Sequence, residues 1–176
     1  MDLTAKCLVA RPGITDPLFK QSVIFIYEHT SRGTAGVILN KPLVNTNTRE
    51  LCMARGFDAP VPQETVYSGG PVNTRGIVML HTGDWDASNT LLVNDTFSIT
   101  SDDMMLFRYT QGDTARYYRF YAGVSVWHPQ QIVMEQKRNH WLTADLDCVK
   151  IFETDTRDLW DVAVEHSAQA TMDRFI

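Results

Sequence analysis

The stretch Leu8–Pro42, LVARPGITDPLFKQSVIFIYEHTSRGTAGVILNKP, decides the fold. Two apolar runs, Val23–Tyr27 and Gly36–Leu39, flank a turn at Ser31-Arg32-Gly33, and a third run, Lys6–Ala10, lies just upstream. Each is short, continuously aliphatic or aromatic, and free of a 3.6-residue stripe, as expected of strands covered on both faces. Between them Asp16-Pro17 is expected to open a helical turn, because an Asp carboxylate accepts from the first free amides and Pro at N1 has no donor to lose.

Reading outward, Thr48 is placed as the cap of a short helix running through Arg55 and stopped by Gly56. Strands follow at Thr65–Ser68, Gly76–His81, Thr90–Val93 and Phe97–Thr100, the last two joined across Asn94-Asp95. Ser101 with Asp102-Asp103 behind it predicts a helix to Thr110, with Gly112 after it. Tyr117–Val126 reads as strand and Pro129–Arg138 as helix. A closing helix capped by Asp155 or Thr156 runs to Gln169, with Leu159, Ala163 and His166 along one face. Strands and helices do not alternate regularly, so the class is α+β rather than doubly wound.

At 176 residues and 44% hydrophobic, with no repeat and no linker-like segment, the chain is expected to form one domain over 1–176. A net charge of −5 opposes a general electrostatic grip on nucleic acid. No apolar run approaches a membrane span, and the N-terminus lacks the apolar region of a secretion signal. The three cysteines, Cys7, Cys52 and Cys148, are odd in number and widely spaced, so reduced thiols, no zinc and a cytoplasmic location are expected.

Dinucleotide, P-loop, nucleophile-elbow and zincin motifs are all missing, and no cofactor is indicated. Asp84-x-Asp86 and Asp145-x-Asp147 lack the further spaced oxygens of a calcium loop and read as loop acids. The candidate site is a set of residues at strand ends: His29, Asn40 with Lys41, Gly69 with Gly70, and His81. If those ends lie on one side, two imidazoles, an amide, an amine and glycine N–H groups converge, a set able to bind an anion or move protons. The plainer alternative has His29 and Asn40 tying down loop backbone, Lys41 solvated and the glycines supplying positive φ. Ser22 and Ser68 stand near the motif without a placed base, which leaves a serine nucleophile unsupported.

Arg108-Tyr109 and Arg116–Tyr121 interleave basic and aromatic residues as single-strand nucleic-acid platforms do. Period-two alternation, however, splits the set. Arg116, Tyr118 and Phe120 go to one face and Tyr117, Arg119 and Tyr121 to the other, so core packing with arginine rims is preferred. Trp85, Trp127, Trp141 and Trp160 are expected to anchor the core.

The opening stretch, together with Gly69-Gly70-Pro71, Leu80-His81, Trp127 and Trp141-Leu142-Thr143 ahead of Asp147, resembles the AlgH/YqgE family of small bacterial proteins. The resemblance implies a bifurcated, mostly antiparallel sheet curled into a pseudo-barrel with flanking helices. It carries the family's label of transcriptional regulator, with no established reaction or ligand. The chain departs from the family pattern at His128–Gln131, where a Gly-Gln-Leu-Glu run is replaced and Pro129 added, and at Asp145-Leu146, where Pro-Ala precedes the matching aspartate. Two functional classes follow: a non-catalytic regulatory or interaction protein with a protein partner, or a small-molecule binder or hydrolase using the strand-end residues. An enclosed polar pocket around His29, Asn40 and His81 would favour the second, an exposed apolar patch the first.

Overall fold

Val23–Ile26 and Val37–Leu39 have no exposed surface, so each run is covered on both sides, as its unbroken apolar character requires. The computed structural model describes all of residues 1–176. Its elements are β1 (Cys7–Ala10), β2 (Val23–Thr30), β3 (Gly33–Ile38), β4 (Pro42–Asn47), α1 (Thr48–Ala54), β5 (Thr65–Ser68), β6 (Val72–Thr82) and β7 (Thr90–Leu92). There follow β8 (Phe97–Thr100), α2 (Met104–Thr110), β9 (Tyr118–Trp127), α3 (Pro129–Lys137), β10 (Trp141–Ala144), α4 (Cys148–Glu153) and α5 (Leu159–Asp173).

The strands form one sheet in the order β10-β1-β2-β3-β9-β6-β8-β7, with β4 and β5 branching from it. Every pairing is antiparallel except that of β5 with β9. The branch point is β9. Along one edge its C-terminal half pairs with β3 (Gly36 opposite Ser125) and its N-terminal half with β5 (Val66 opposite Phe120). Its other edge pairs with β6. This is the bifurcated, curled sheet with flanking helices that the resemblance implies, and its class is α+β as the element order predicts.

Alternation along the strands sorts the core. Cys7, Val9, Val23, Phe25, Val37, Leu39 and Tyr121 pack under Ile151 of α4 and Leu159 and Ala163 of α5. Leu8, Ala10, Ile24, Ile26 and Ile38 point the other way, onto Trp127, Trp141 and Ile132 of α3. Phe120, Val66 and Met79 meet Cys52 of α1 and Met105, Leu106 and Tyr109 of α2. Burying one such side chain contributes about 1.5–3 kcal/mol.

Several expectations about element ends are corrected. Asn47, not Thr48, caps α1, accepting from Glu50 N at 3.0 Å, while Thr48 is fully buried. The Ser101 helix starts at Met104, where Asp102 accepts from its N–H at 2.8 Å. The closing helix starts at Leu159 with no side-chain cap, runs on to Asp173, and buries Ser167 rather than His166 on its inner face. Three of the four tryptophans are buried, and Trp160 is half-buried with its indole N–H donating to Ala10 O. No helix is long and apolar enough to cross a membrane.

Candidate functional site

Where β5 hands over to β6, the chain crosses β9 with no room for side chains. A Cβ on Gly69 would sit 2.2 Å from Gly123 O, and one on Gly123 would sit 2.4 Å from Gly70 O. Gly70 and Gly123 also have φ of 149° and 77°, a region L side chains rarely enter. Gly69 N donates to Ala122 O, Ile38 N donates to Gly69 O at 3.0 Å, and Ser125 Oγ donates to Gly69 O at 3.1 Å. The amide and carbonyl of Gly69 are therefore spent on splitting the sheet.

The same crossing brings Asn40 and Lys41 close by, since Ser68 N donates to Lys41 O. Asn40 Oδ1 accepts from Val23 N at 3.0 Å and its Nδ2 donates to Gln21 O at 2.8 Å, which fastens the end of β3 to the start of β2. Lys41 Nζ donates to Lys20 O, and burial, reinforced by Lys20, lowers its pKa. Both line a cleft of about 300 Å³ with Arg157, Trp160 and Asp161.

The two histidines do not join them. His29 faces Thr34, which faces Trp127, the last residue of β9; His81 faces Tyr118, its first. Ten residues of strand separate the two levels by roughly 30 Å. The shared pocket expected for His29, Asn40 and His81 is therefore not formed, and the small-molecule or hydrolase alternative loses its constellation. His29 hydrogen-bonds Thr34 Oγ1 at 2.8 Å, a contact between adjacent strands.

His81 has no exposed surface and sits edge-on to Trp85 at 5.2 Å. Its Nδ1 is 2.8 Å from Thr82 O, which can only accept, so the proton is on Nδ1 and Nε2 accepts from Thr100 Oγ1 at 2.8 Å. Thr90 Oγ1 then donates to Thr100 at 2.7 Å and accepts from Ala87 N. Every proton in this chain has one place, so a second proton on the ring has no acceptor already waiting. Burial lowers the His81 pKa, against the opposing pull of Thr82 O, Asp84 and Asp86.

Two polar groupings were not anticipated. Glu64, just ahead of β5, accepts from Tyr109 OH at 2.9 Å and Tyr118 OH at 3.0 Å, and Tyr109 meets Thr48 Oγ1 at 3.1 Å, joining α1, α2 and β9. Burial and then the Glu64 charge push the Tyr118 phenol up to about 12, so it stays a donor at neutral pH. Glu135 of α3 accepts from the indoles of both Trp127 and Trp141 at 3.0 and 2.8 Å. A lone Glu on a helix carries no pattern that announces this.

Of the interleaved arginines, Arg108 and Arg119 are stacked on rings of the fold, while Arg116 is exposed over its neighbour Tyr117 at 5.4 Å. Arg108 lies over Trp85 at 4.1 Å and binds Asp113 at 2.7 Å, while Arg119 lies over Tyr67 at 5.1 Å and donates to Ile151 O and Phe152 O. Asp84 is likewise spent, accepting from Thr82 Oγ1 and Arg116 N. No group of three or more His, Cys, Asp or Glu side chains gathers where a metal could be held.

A family model described as AlgH-like matches residues 7–171. A UPF0301 protein of Rhodospirillum rubrum is 33% identical over 165 residues, covering 92% of this chain and 85% of its own. One from Vibrio atlanticus is 33% identical over 172 residues, covering 94% and 91%. The solution structure of the AlgH protein from Pseudomonas aeruginosa superposes with a TM-score of 0.79 at 26% identity, over 93% of this chain and 88% of that one. A crystal structure of a Corynebacterium diphtheriae protein shares the fold at a TM-score of 0.73 and 22% identity, over 92% and 86%. The chain belongs to the AlgH-like family.

Proposed function

We propose that this protein is non-catalytic and regulatory, acting in the cytoplasm by docking a protein partner on the α1–α2 face. The observation that carries the reading is apolar exposure on that face: Met53 of α1 is 56% exposed, and Met104 and Phe107 of α2 are 52% and 41% exposed. Met104 and Phe107 are three residues apart and so lie on one side of α2. Phe57, just past α1, packs on Phe107 with ring centroids 5.7 Å apart and continues the apolar surface. The partner is taken to present a segment with apolar anchors, the usual complement of an open helical face. A regulatory effect on transcription, the label the family carries, would run through that partner, because an acidic chain in which Arg108 and Arg119 are stacked on aromatic rings and only Arg116 of the interleaved set is free is a poor general ligand for DNA.

The test is complementation of a deletion strain, read by transcript profile, with M104E/F107E beside wild type. The double variant, folded by circular dichroism, is expected to fail to restore the profile. A photo-crosslinker at 107 is expected to capture one partner that the same probe at Arg138, just past α3, does not. Full complementation by M104E/F107E would overturn the proposal.

A further inference from the structure

We infer that the cleft between the bowed-out start of β6 and the Ser101–Met105 segment, which leads into α2, binds a small dianion, a phosphomonoester or a dicarboxylate, through Arg55 and Arg75. The cleft holds about 330 Å³, within the range of sites for small ligands. Its construction is local and specific. Val72 faces Val124 and Ile77 faces Ala122, so five steps of β6 span only two of β9, and Asn73–Gly76 bulges out of the ladder. Such bulges re-aim side chains beside sites. Within it Asn73 is held at a φ of 51°, and a Cβ on Gly76 would lie 2.4 Å from Asn73 Nδ2, so the carboxamide packs where only glycine leaves room.

The two guanidiniums in this cleft are unspent. The chain's ion pairs are Lys6–Asp145, Arg108–Asp113, Lys150–Asp147 and Arg157–Asp155, and Arg55 and Arg75 belong to none of them. Most of the 16 bases stand outside these four pairs, so what sets Arg55 and Arg75 apart is that both line the same cleft. Asp102, in the same lining, accepts from Met104 N with one oxygen and from Ser88 N with the other, which directs both oxygens to backbone while its charge remains. Ile77, Leu106 and Val124 supply an apolar side for the body of a ligand. Two forked donors above such a surface suit a doubly charged head on a small carbon skeleton. Asp103, also in the lining, opposes any anion and sets a limit on affinity.

The inference does not rest on the partner reading, although the cleft adjoins that face through Arg55 after α1 and Met105 and Leu106 of α2. Titration with inorganic phosphate and, separately, succinate at constant ionic strength, followed by amide chemical shifts, tests it. Saturable shifts confined to Asn73–Ile77 and Ser101–Asp103 are expected with at least one probe. Saturation by phosphate alone would assign a phosphomonoester, and by succinate a dicarboxylate. Kd should rise at least ~10-fold in R75Q and R55Q, fall about threefold in D103N, and stay unchanged in R138Q. Shifts that fail to saturate with either probe, or a Kd indifferent to R75Q, would overturn the assignment, and native-like spectra of the free variants exclude misfolding as the cause.

Discussion

Replacing Glu135 by Ala should be among the most damaging single changes on the surface of this protein. Glu135 Oε2 accepts both indole N–H groups, from Trp127 at 3.0 Å and Trp141 at 2.8 Å, while Oε1 accepts from Gln131 at 3.0 Å. The two rings meet edge-to-face at 6.1 Å and are only 3% and 8% exposed, so water cannot easily replace the carboxylate. A hydrogen bond to a charged group contributes about 1.5–3 kcal/mol, and a buried donor left unpaired costs about 1–3 kcal/mol. Two donors share one oxygen, so their losses do not add fully, and about 3 kcal/mol is expected for E135A despite the better helix propensity of Ala. For a chain of this length each kcal/mol lowers Tm by about 2–4 °C, which predicts a fall of about 6–12 °C. E135Q keeps a carbonyl oxygen for the indoles and should lose about 1 kcal/mol. Urea unfolding followed by tryptophan fluorescence and circular dichroism measures both. An E135A variant within about 0.5 kcal/mol of wild type, or an E135Q as damaged as E135A, would refute the clamp.

Gly123→Ala should prevent folding or cost at least ~3 kcal/mol, because its Cβ would lie 2.4 Å from Gly70 O at a φ of 77°. Gly112→Ala, at a similar φ of 73° but with open space around it, should cost only about 1–2 kcal/mol, so soluble yield and Tm of the pair separate crowding from backbone strain. Because the His81 pKa is lowered in the fold, the unfolded chain binds the proton more readily, and stability should hold above pH ~6.5 and fall as pH drops through the window between the unfolded and folded values. The slope from this one group is at most ~1.4 kcal/mol per pH unit, and the difference between wild type and H81Q in urea titrations from pH 7.5 to 5 should isolate it; parallel curves would sink the assignment.

What could be read from the chain, and what could not, follows from where burial leaves a trace. Val23–Ile26 and Val37–Leu39 are covered on both faces, and their unbroken apolar runs declare it. β4 does not declare itself, because no residue of Pro42–Asn47 is buried and Val44 is 91% exposed; it is a strand only through pairing with β5. The Arg–aromatic run was legible because alternation alone separates Arg119 and Tyr121 from Tyr118 and Phe120. The expected site failed for a topological reason. His29 and His81 each stand next to the end of their strand, β2 and β6, and between those strands the sheet reverses direction three times, through β3 and β9. An odd number of reversals sends two C-terminal ends to opposite edges, so residues alike in strand position are far apart in space. Asn40 and Gly69 do meet near the middle of β9, because β3 and β5 share its edge end to end. Neighbours on one strand are visible locally, whereas the order of strands depends on contacts distant in sequence. The arginine cleft lay in the same blind spot: a Gly-ended polar insertion, Asn73-Thr74-Arg75-Gly76, ahead of the apolar run Ile77–Leu80 marked a bulge, but only the fold brings Arg55 alongside it.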